Sequence, residues 1–233
     1  MSQTTSELWK ALWRTRGTVR EYGFDIAGKW YGPEQEVSHT VDSGLYDQFG
    51  IGNASTAKLT ISLLADSIPR EAKIKRYIRL RNGSQVTEWL PKGEFFTNRR
   101  SEEDGYWTVE AFDAMRKAEA SWEPDQSLVF PLPMPAAVQE FARIMQVEVD
   151  PRTIINPAYS IDYPASDPES KTGDYYSIRK ELQWIAAAHG GNWIITGEGK
   201  LLLVPLLSIP EETHYLVTEF GGAITFGGVR ILV

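Results

Sequence analysis

Residues 57–63 alternate apolar and polar without a break, with Ala57, Leu59, Ile61 and Leu63 on one side and Lys58, Thr60 and Ser62 on the other. A period of two predicts a strand with one buried and one wet face. Pro69 breaks the run, and Ile74, Ile78 and Leu80, alternating with Lys75 and Arg79, predict a second strand over 72–80. Asn82-Gly83 is a two-residue hairpin signal before an extended run at 86–90. Upstream, 20–31 reads as strand, turn and strand about Gly28-Lys29, and 36–41 as a further extended run before a loop carrying Gly50, Gly52 and Asn53. Downstream, the aromatic and β-branched runs 93–97 and 106–112 flank a polar tip, 98–105, as in a hairpin. That hairpin passes directly into a helix-favouring stretch, 113–120, whose Ala114, Met115 and Ala118 share one face. Asp113 starts the stretch, and Phe112 and Met115 are expected to pack at the junction.

Helical spacing appears in three places. In 6–14, Ser6 is a candidate N-cap, Glu7 suits the first turn, and Leu8/Leu12 and Trp9/Trp13 form an i,i+4 stripe ended by Gly17. So short a helix is marginal alone and must dock, on this chain or on a neighbouring copy. The four prolines of 122–135 interrupt regular structure, after which Val138, Phe141, Ala142 and Met145 predict a helix over 136–146. An extended stretch, 147–155, and a polar loop with few anchors, 157–173, lead to a second helix over 178–189. Ser177 caps that helix, Ile178, Leu182, Ile185, Ala186 and His189 form its inner face, and Gly190-Gly191 ends it. A hairpin of 193–196 and 201–206 follows, and 213–233 returns to β at 215–217, 223–226 and 229–233. An apolar strand at the last residue implies pairing inside a sheet, or a piece of a longer chain.

The fold expected is therefore α+β and mostly β: an antiparallel β-barrel, closed or nearly so, with a small inserted α/β domain of two helices plus a hairpin, and returning strands. The segments are 1–19 (amphipathic arm), 20–120 (barrel), 121–206 (inserted domain) and 207–233 (strands completing a barrel or beginning a second). At 233 residues there is room for one large domain or two modest ones. A net charge of −7 argues against direct nucleic-acid recognition, because phosphate neutralisation needs a basic surplus. The absence of cysteine excludes disulfides and thiolate chemistry. No apolar run reaches the ~20 residues of a membrane helix, and the first ten residues lack the pattern of a secretory leader. The eight Trp, ten Tyr and nine Phe invite a carbohydrate-stacking reading, but most lie in strand-like runs that need aromatic cross-strand pairs.

Candidate chemistry is sparse. His39, His189 and His214 have no metal-binding spacing and read as structural, His189 with its imidazolium suited to a helix C-terminus. Gly197-Glu198-Gly199-Lys200 superficially resembles a phosphate loop but precedes a strand, as does Gly190-Gly191. Glu102-Glu103-Asp104, or Asp167, Glu169 and Asp174, are a possible acid pair that sequence cannot place about a bond. The tripeptides 53–55 and 82–84 match a glycosylation pattern and fit turns better. No nucleophile elbow occurs. No catalytic, cofactor-binding or metal-binding residue is assigned, no cofactor is implied, and no enzymatic activity is expected.

The order of parts nevertheless resembles the tail hub proteins of long-tailed phages and prophages, which include baseplate hubs and the N-terminal regions of siphophage tail-associated proteins. The matching stretches are FDIAGKWYGPE (24–34), SGLYDQFGIGNASTAKLTISL (43–63), AKIKRYIRL (72–80), EWLPKGEFFTNRR (88–100), WTVEAFDAMRKAE (107–119) and SIRKELQWIAAAHGGNWIITGEGKLLLVPL (177–206). The FDAM element and the Gly-Gly hairpin after the helix are the most specific of these. The resemblance implies a tail-tube-like barrel with an inserted α/β domain, several copies of which, typically three, form a ring between the tail tube and the tip or spike. The partners implied are further copies and neighbouring tail-tube, distal-tail and spike proteins, in a virion assembled in the bacterial cytoplasm, without membrane insertion. The C-terminal cell-wall-degrading modules of some relatives are not matched. Two alternatives stand: a hub of a related contractile injection or secretion apparatus, and a cell-wall polysaccharide-binding or -degrading protein with exposed coplanar aromatics beside paired carboxylates.

Overall fold

The computed structural model describes residues 5–43, 50–168 and 175–206, with the backbone of 225–226 and 229–230. Helix α1 is Glu7–Arg14. The Ser6 Oγ accepts from the Trp9 N–H at 3.1 Å, and Ser6 is itself fixed by Glu88, its N–H donating at 2.9 Å and its Oγ at 2.8 Å. Trp9 and Leu12 are buried against Ile78, Leu80 and Leu90, so the helix docks on its own chain. The other half of the stripe stays out, Trp13 being 54% exposed beneath the guanidinium of Arg20.

The strands that follow are β1 (Val19–Ile26), β2 (Lys29–Tyr31), β3 (Glu36–Asp42), β4 (Asn53–Ala54), β5 (Lys58–Leu64), β6 (Lys73–Asn82), β7 (Gln85–Val86), β8 (Leu90–Glu103) and β9 (Tyr106–Phe112). All but β4 form an eight-stranded antiparallel sheet in the order β2-β1-β6-β8-β9-β5-β3, with β7 pairing β6. The alternation predicted for 57–63 is realised: Leu59, Ile61 and Leu63 are fully buried with Phe24, Ile26, Ile74, Phe95, Val109 and Ala111.

The sheet is rolled rather than hydrogen-bonded into a closed barrel. His39 of β3 packs edge-on against Tyr22 (4.2 Å) and Phe24 (5.6 Å) of β1, so the two ends of the sheet face each other across the core. Among the described residues β2 and β3 do not pair with each other. They are joined covalently by a tight turn, in which Gln35 N–H donates to Gly32 O at 3.1 Å and Gly32 N–H to the Gln35 side chain at 2.8 Å. With β2 only three residues long, the link turns away before a ladder can form, and among the described residues neither β2 nor β3 pairs with a further strand on its outer side.

The β8–β9 hairpin also differs from expectation. Its polar stretch is strand through Glu103, and the turn is only Asp104-Gly105, both at positive φ (51° and 80°), the conformation of a two-residue type I′ loop. Cross-strand pairs with Tyr106–Glu110 hold the polar residues extended. A bulge at Asn98 resets the alternation, so that Arg100 lies opposite Val109 and Glu102 opposite Trp107.

After β9 the 113–120 stretch is a 3₁₀ rather than an α-helix, Ala114–Glu119, capped by Asp113 through the Met115 N–H at 3.1 Å. Met115 and Ala118 are buried, as expected, and join a second core. That core is built from α2 (Met134–Met145), α3 (Ile178–Ala188), β12 (Gly191–Ile195) and β13 (Leu201–Pro205), with the short pair β10 (Leu132–Pro133) and β11 (Ser160–Ile161) at its side. Its largest side chains are Trp122, Phe141 and Trp193, the first two meeting edge to face at 4.8 Å. Helix α2 begins two residues earlier than predicted, because proline is tolerated in a first turn. The stretch 147–155 forms no strand: it makes one bridge, Val149 to Leu201, and a turn at 151–152. Strand β4, read as loop, pairs in parallel with β12 to give the order β13-β12-β4. At the C-terminus β14 (Thr225–Phe226) pairs with β15 (Val229–Arg230), while the strand expected at 215–217 lies outside the described residues.

On the outer sheet face the indole of Trp30 lies back across β1 over Gly23, against Tyr77 and Trp89. A Cβ at Gly23 would land inside that indole. Gly23→Ala is expected to cost about 1–3 kcal/mol in chemical denaturation and to shift tryptophan emission. In the Gly23→Ala/Trp30→Ala double variant the alanine at 23 should cost almost nothing further, a non-additivity read from a double-mutant cycle.

Candidate assembly surface and the buried junction

The candidates read from the sequence end up dispersed. His39 lies inside the roll, paired with Glu36 and bonded through Nε2 to the Arg76 guanidinium at 3.1 Å. His189 is the C-cap of α3, with Nδ1 bonded to Ile185 O at 2.8 Å and Nε2 accepting from the Asn156 N–H at 2.9 Å. His214 lies outside the described residues. Residues 197–200 are the β12–β13 turn, folded about Thr196 Oγ1, which accepts from the N–H groups of Glu198 and Lys200, and the Lys200 ammonium pairs with Glu148 at 3.2 Å. Gly190, at a φ of 63°, carries the chain from α3 into β12. Asn53 is in β4, and the Asn82 amide donates to Arg16 O and Thr18 Oγ1 at the start of β1.

The acids are likewise apart. Glu102, Glu103 and Asp104 are on the hairpin turn at the end of the sheet, where Glu102 accepts from the Gly105 N–H at 3.0 Å. Asp167 is beside the Ser166–Tyr175 bridge of the helical part, and Glu169 and Asp174 lie outside the described residues. Among the described residues no three His, Asp or Glu side chains are grouped so as to hold a metal. The aromatic cluster on the sheet is tilted rather than coplanar, Trp30 meeting Trp89 at 68° and Tyr77 at 51°, and Glu21 on that face is bound by Arg79 and Arg81.

Sequence reading missed a buried polar junction between the two cores. The guanidinium of Arg179, at the start of α3, donates to Ala54 O, Thr56 Oγ1 and, at 3.1 Å, Met115 O, and pairs with Glu119 at 2.9 Å. One side chain thus ties together α3, the segment around β4 and the 3₁₀ turn that ends the sheet. Asp113 is buried there, its carboxyl pushed up to about 7 by loss of solvent, against the pull of the Ala57 and Met115 N–H groups and of Arg179. Glu181, buried on the same helix, is likewise raised to about 7 by burial. No residue pattern announces this: an arginine next to an inner-face isoleucine looks like any solvated helix charge.

Two surfaces remain open for assembly. The first is the β3 edge, where Val37 (53% exposed) and Val41 (39%) stand beside the sheet's unpaired ladder. The second is the β8–β9 arm. Open clefts of about 550 Å³ and about 450 Å³ flank it, the first lined by Arg70, Asn98–Glu102 and Trp107, the second by Lys29, Tyr31, Gln35, Asp66, Glu102 and Trp107 among others. The Asn98 bulge turns Arg100 inward over the Trp107 ring at 4.9 Å and onto Ile68 O, which stiffens the base of the arm.

Between about pH 4.5 and 7 the folded chain keeps the Glu181 proton that the unfolded chain releases, so stability falls as pH rises through this window and stays lowered above it. Glu181→Gln should flatten the dependence and stabilise the protein at pH 8 by on the order of 2 kcal/mol, measured by denaturation across pH. Arg179→Met should cost about 3 kcal/mol or more at neutral pH, since it removes a charged donor from the Ala54 and Met115 carbonyls and breaks the pair with Glu119.

No family model matches this chain, and no curated protein matches it. Solved structures do. The 43 kDa tail protein of prophage MuSo2 from Shewanella oneidensis superposes with a TM-score of 0.51 at 11% identity, over 84% of this chain and 59% of that one. A tail protein from Neisseria meningitidis MC58 matches with a TM-score of 0.46 at 16% identity, over 79% of this chain and 51% of its own. The chain thus spans between half and three fifths of the length of these two proteins. The likeness to phage tail proteins read from the sequence is borne out at the level of the fold by the prophage MuSo2 tail protein.

Proposed function

We propose that this chain is a structural component of a phage-type tail, acting as the hub that continues the tail tube toward its tip, and that it carries no catalytic activity. The observation that carries this reading is the rolled antiparallel sheet whose outer strands, β2 and β3, pair with no further strand among the described residues, in a fold shared with a prophage tail protein. A ring must bury, on each copy, two different patches that fit each other. Free strand edges answer that need, because backbone pairing across subunits extends a sheet whatever the side chains. The seven residues of β3, free of proline and with two exposed valines, form the longer of the two edges. Copies associate here around an axis, three in the assembled tail, and meet the tube, distal-tail and spike proteins above and below. The raised carboxyls of Asp113 and Glu181 belong to the packing between the two cores.

The test is immunogold electron microscopy of tailed particles induced from the bacterium that carries the gene. Antibody to the chain should label one end of the tail; particles that never label would overturn the reading. Val37→Lys/Val41→Lys is expected to keep the melting temperature within a few degrees, both positions being exposed, and yet to be excluded from the particles.

A further inference from the structure

We infer that copies of this chain bind one another through the β8–β9 arm, the acidic tip of one copy seating in the arginine-lined cleft at the base of the next copy's arm. This rests on the ring reading above and names a contact for it. The tip exposes Glu102, Glu103 and Asp104 on a two-residue turn. The cleft, about 550 Å³, presents Arg70, Arg99 and Arg100 around Trp107, with Glu102 on its rim and Glu103 and Asp104 outside its lining. Arg100 is occupied by Ile68 O and by the Trp107 ring, and so shapes the wall. Arg70 and Arg99 are exposed, and neither takes part in an ion pair among the described residues; the same holds for Glu103 and Asp104.

The arm cannot satisfy itself. Arg99 and Asp104 stand roughly 15 Å apart along an extended strand, and the ladder to β9 keeps the strand from folding back. Against the overall charge of −7, the three arginines of the cleft outnumber its one acid, Glu102, and favour an acidic occupant. The tip supplies the Glu103 and Asp104 carboxylates on a rigid support, and a planar guanidinium recognises a carboxylate bidentately. Those two acids lie outside the cleft lining, so the contact joins two different patches, and repeated about an axis it forms a ring where the rotation closes.

The test is sedimentation velocity of the full chain over a range of concentrations, at low and at high salt. The wild type should associate at low salt and dissociate in high salt. Arg70→Glu/Arg99→Glu and Glu103→Lys/Asp104→Lys should each weaken association about tenfold or more, with circular dichroism and melting unchanged. The fourfold variant carrying all these changes should recover it, because its basic tip now meets an acidic cleft. Undiminished association of either double variant, or a fourfold variant no better than the doubles, overturns the arm contact while leaving the tail role to the immunogold result. A wild type that stays monomeric throughout overturns it as well, and particles that still label would show that the tail reading survives without it.

Discussion

Two hydrophobic cores that share a chain need something to fix their relative position, and here it is the guanidinium of Arg179. It reaches from α3 to a carbonyl and a hydroxyl around β4 and to the carbonyl of Met115, and Glu119 balances its charge. The chain crosses between the cores at these same places. Residues 50–56 leave the sheet to add β4 beside β12, then return as β5; residues 113–120 leave β9 and deliver Met115 and Ala118 to the second core. Loss of the arginine would take a charged donor from each crossing, at a cost of about 1–3 kcal/mol each. The rolled sheet and the helical part are thereby tied together at this junction.

Burial at this junction explains the raised carboxyls better than chemistry does. Asp113 caps the 3₁₀ turn and receives N–H groups from Ala57 and Met115, while Glu181 is buried on α3. Acids of this kind suit a general acid only where substrate can reach them. The open clefts described here are elsewhere, along the β8–β9 arm, and are lined by arginines, Trp107 and exposed acids. The two raised carboxyls are thus internal, away from the strand edge and the arm.

Local pattern made much of this legible. Strict alternation marked β5 and β6, a serine and an i,i+4 stripe marked α1 and α3, and Asn82-Gly83 marked the turn into β7. What escaped depends on contacts distant in sequence. The polar half of β8 is strand only because β9 pairs with it, and the bulge that re-aims Arg100 leaves no trace in composition. Asp104-Gly105 did carry the turn signal, hidden by the acids before it. Strand β4 is two residues long and exists because Asn192 and Trp193 offer it a ladder. Closure of the barrel hinged on whether β2 and β3 pair, and a four-residue turn between them decides against it.

Charge gives the assembly surface its logic. Copies at −7 repel one another at a distance, but at physiological ionic strength that repulsion is screened within about 8 Å. What decides association is therefore the local match at contact, where oppositely charged groups meet with little water between them. Backbone pairing along β3 is indifferent to charge and equally indifferent to partner, so on its own it would permit open stacks as readily as a closed ring. A charged tip that fits only one cleft fixes register and direction, which strand pairing leaves free. In the assembly proposed above, edge and arm would divide the work: the ladder would supply cohesion, and the arginine cleft would select the one arrangement in which every copy is seated.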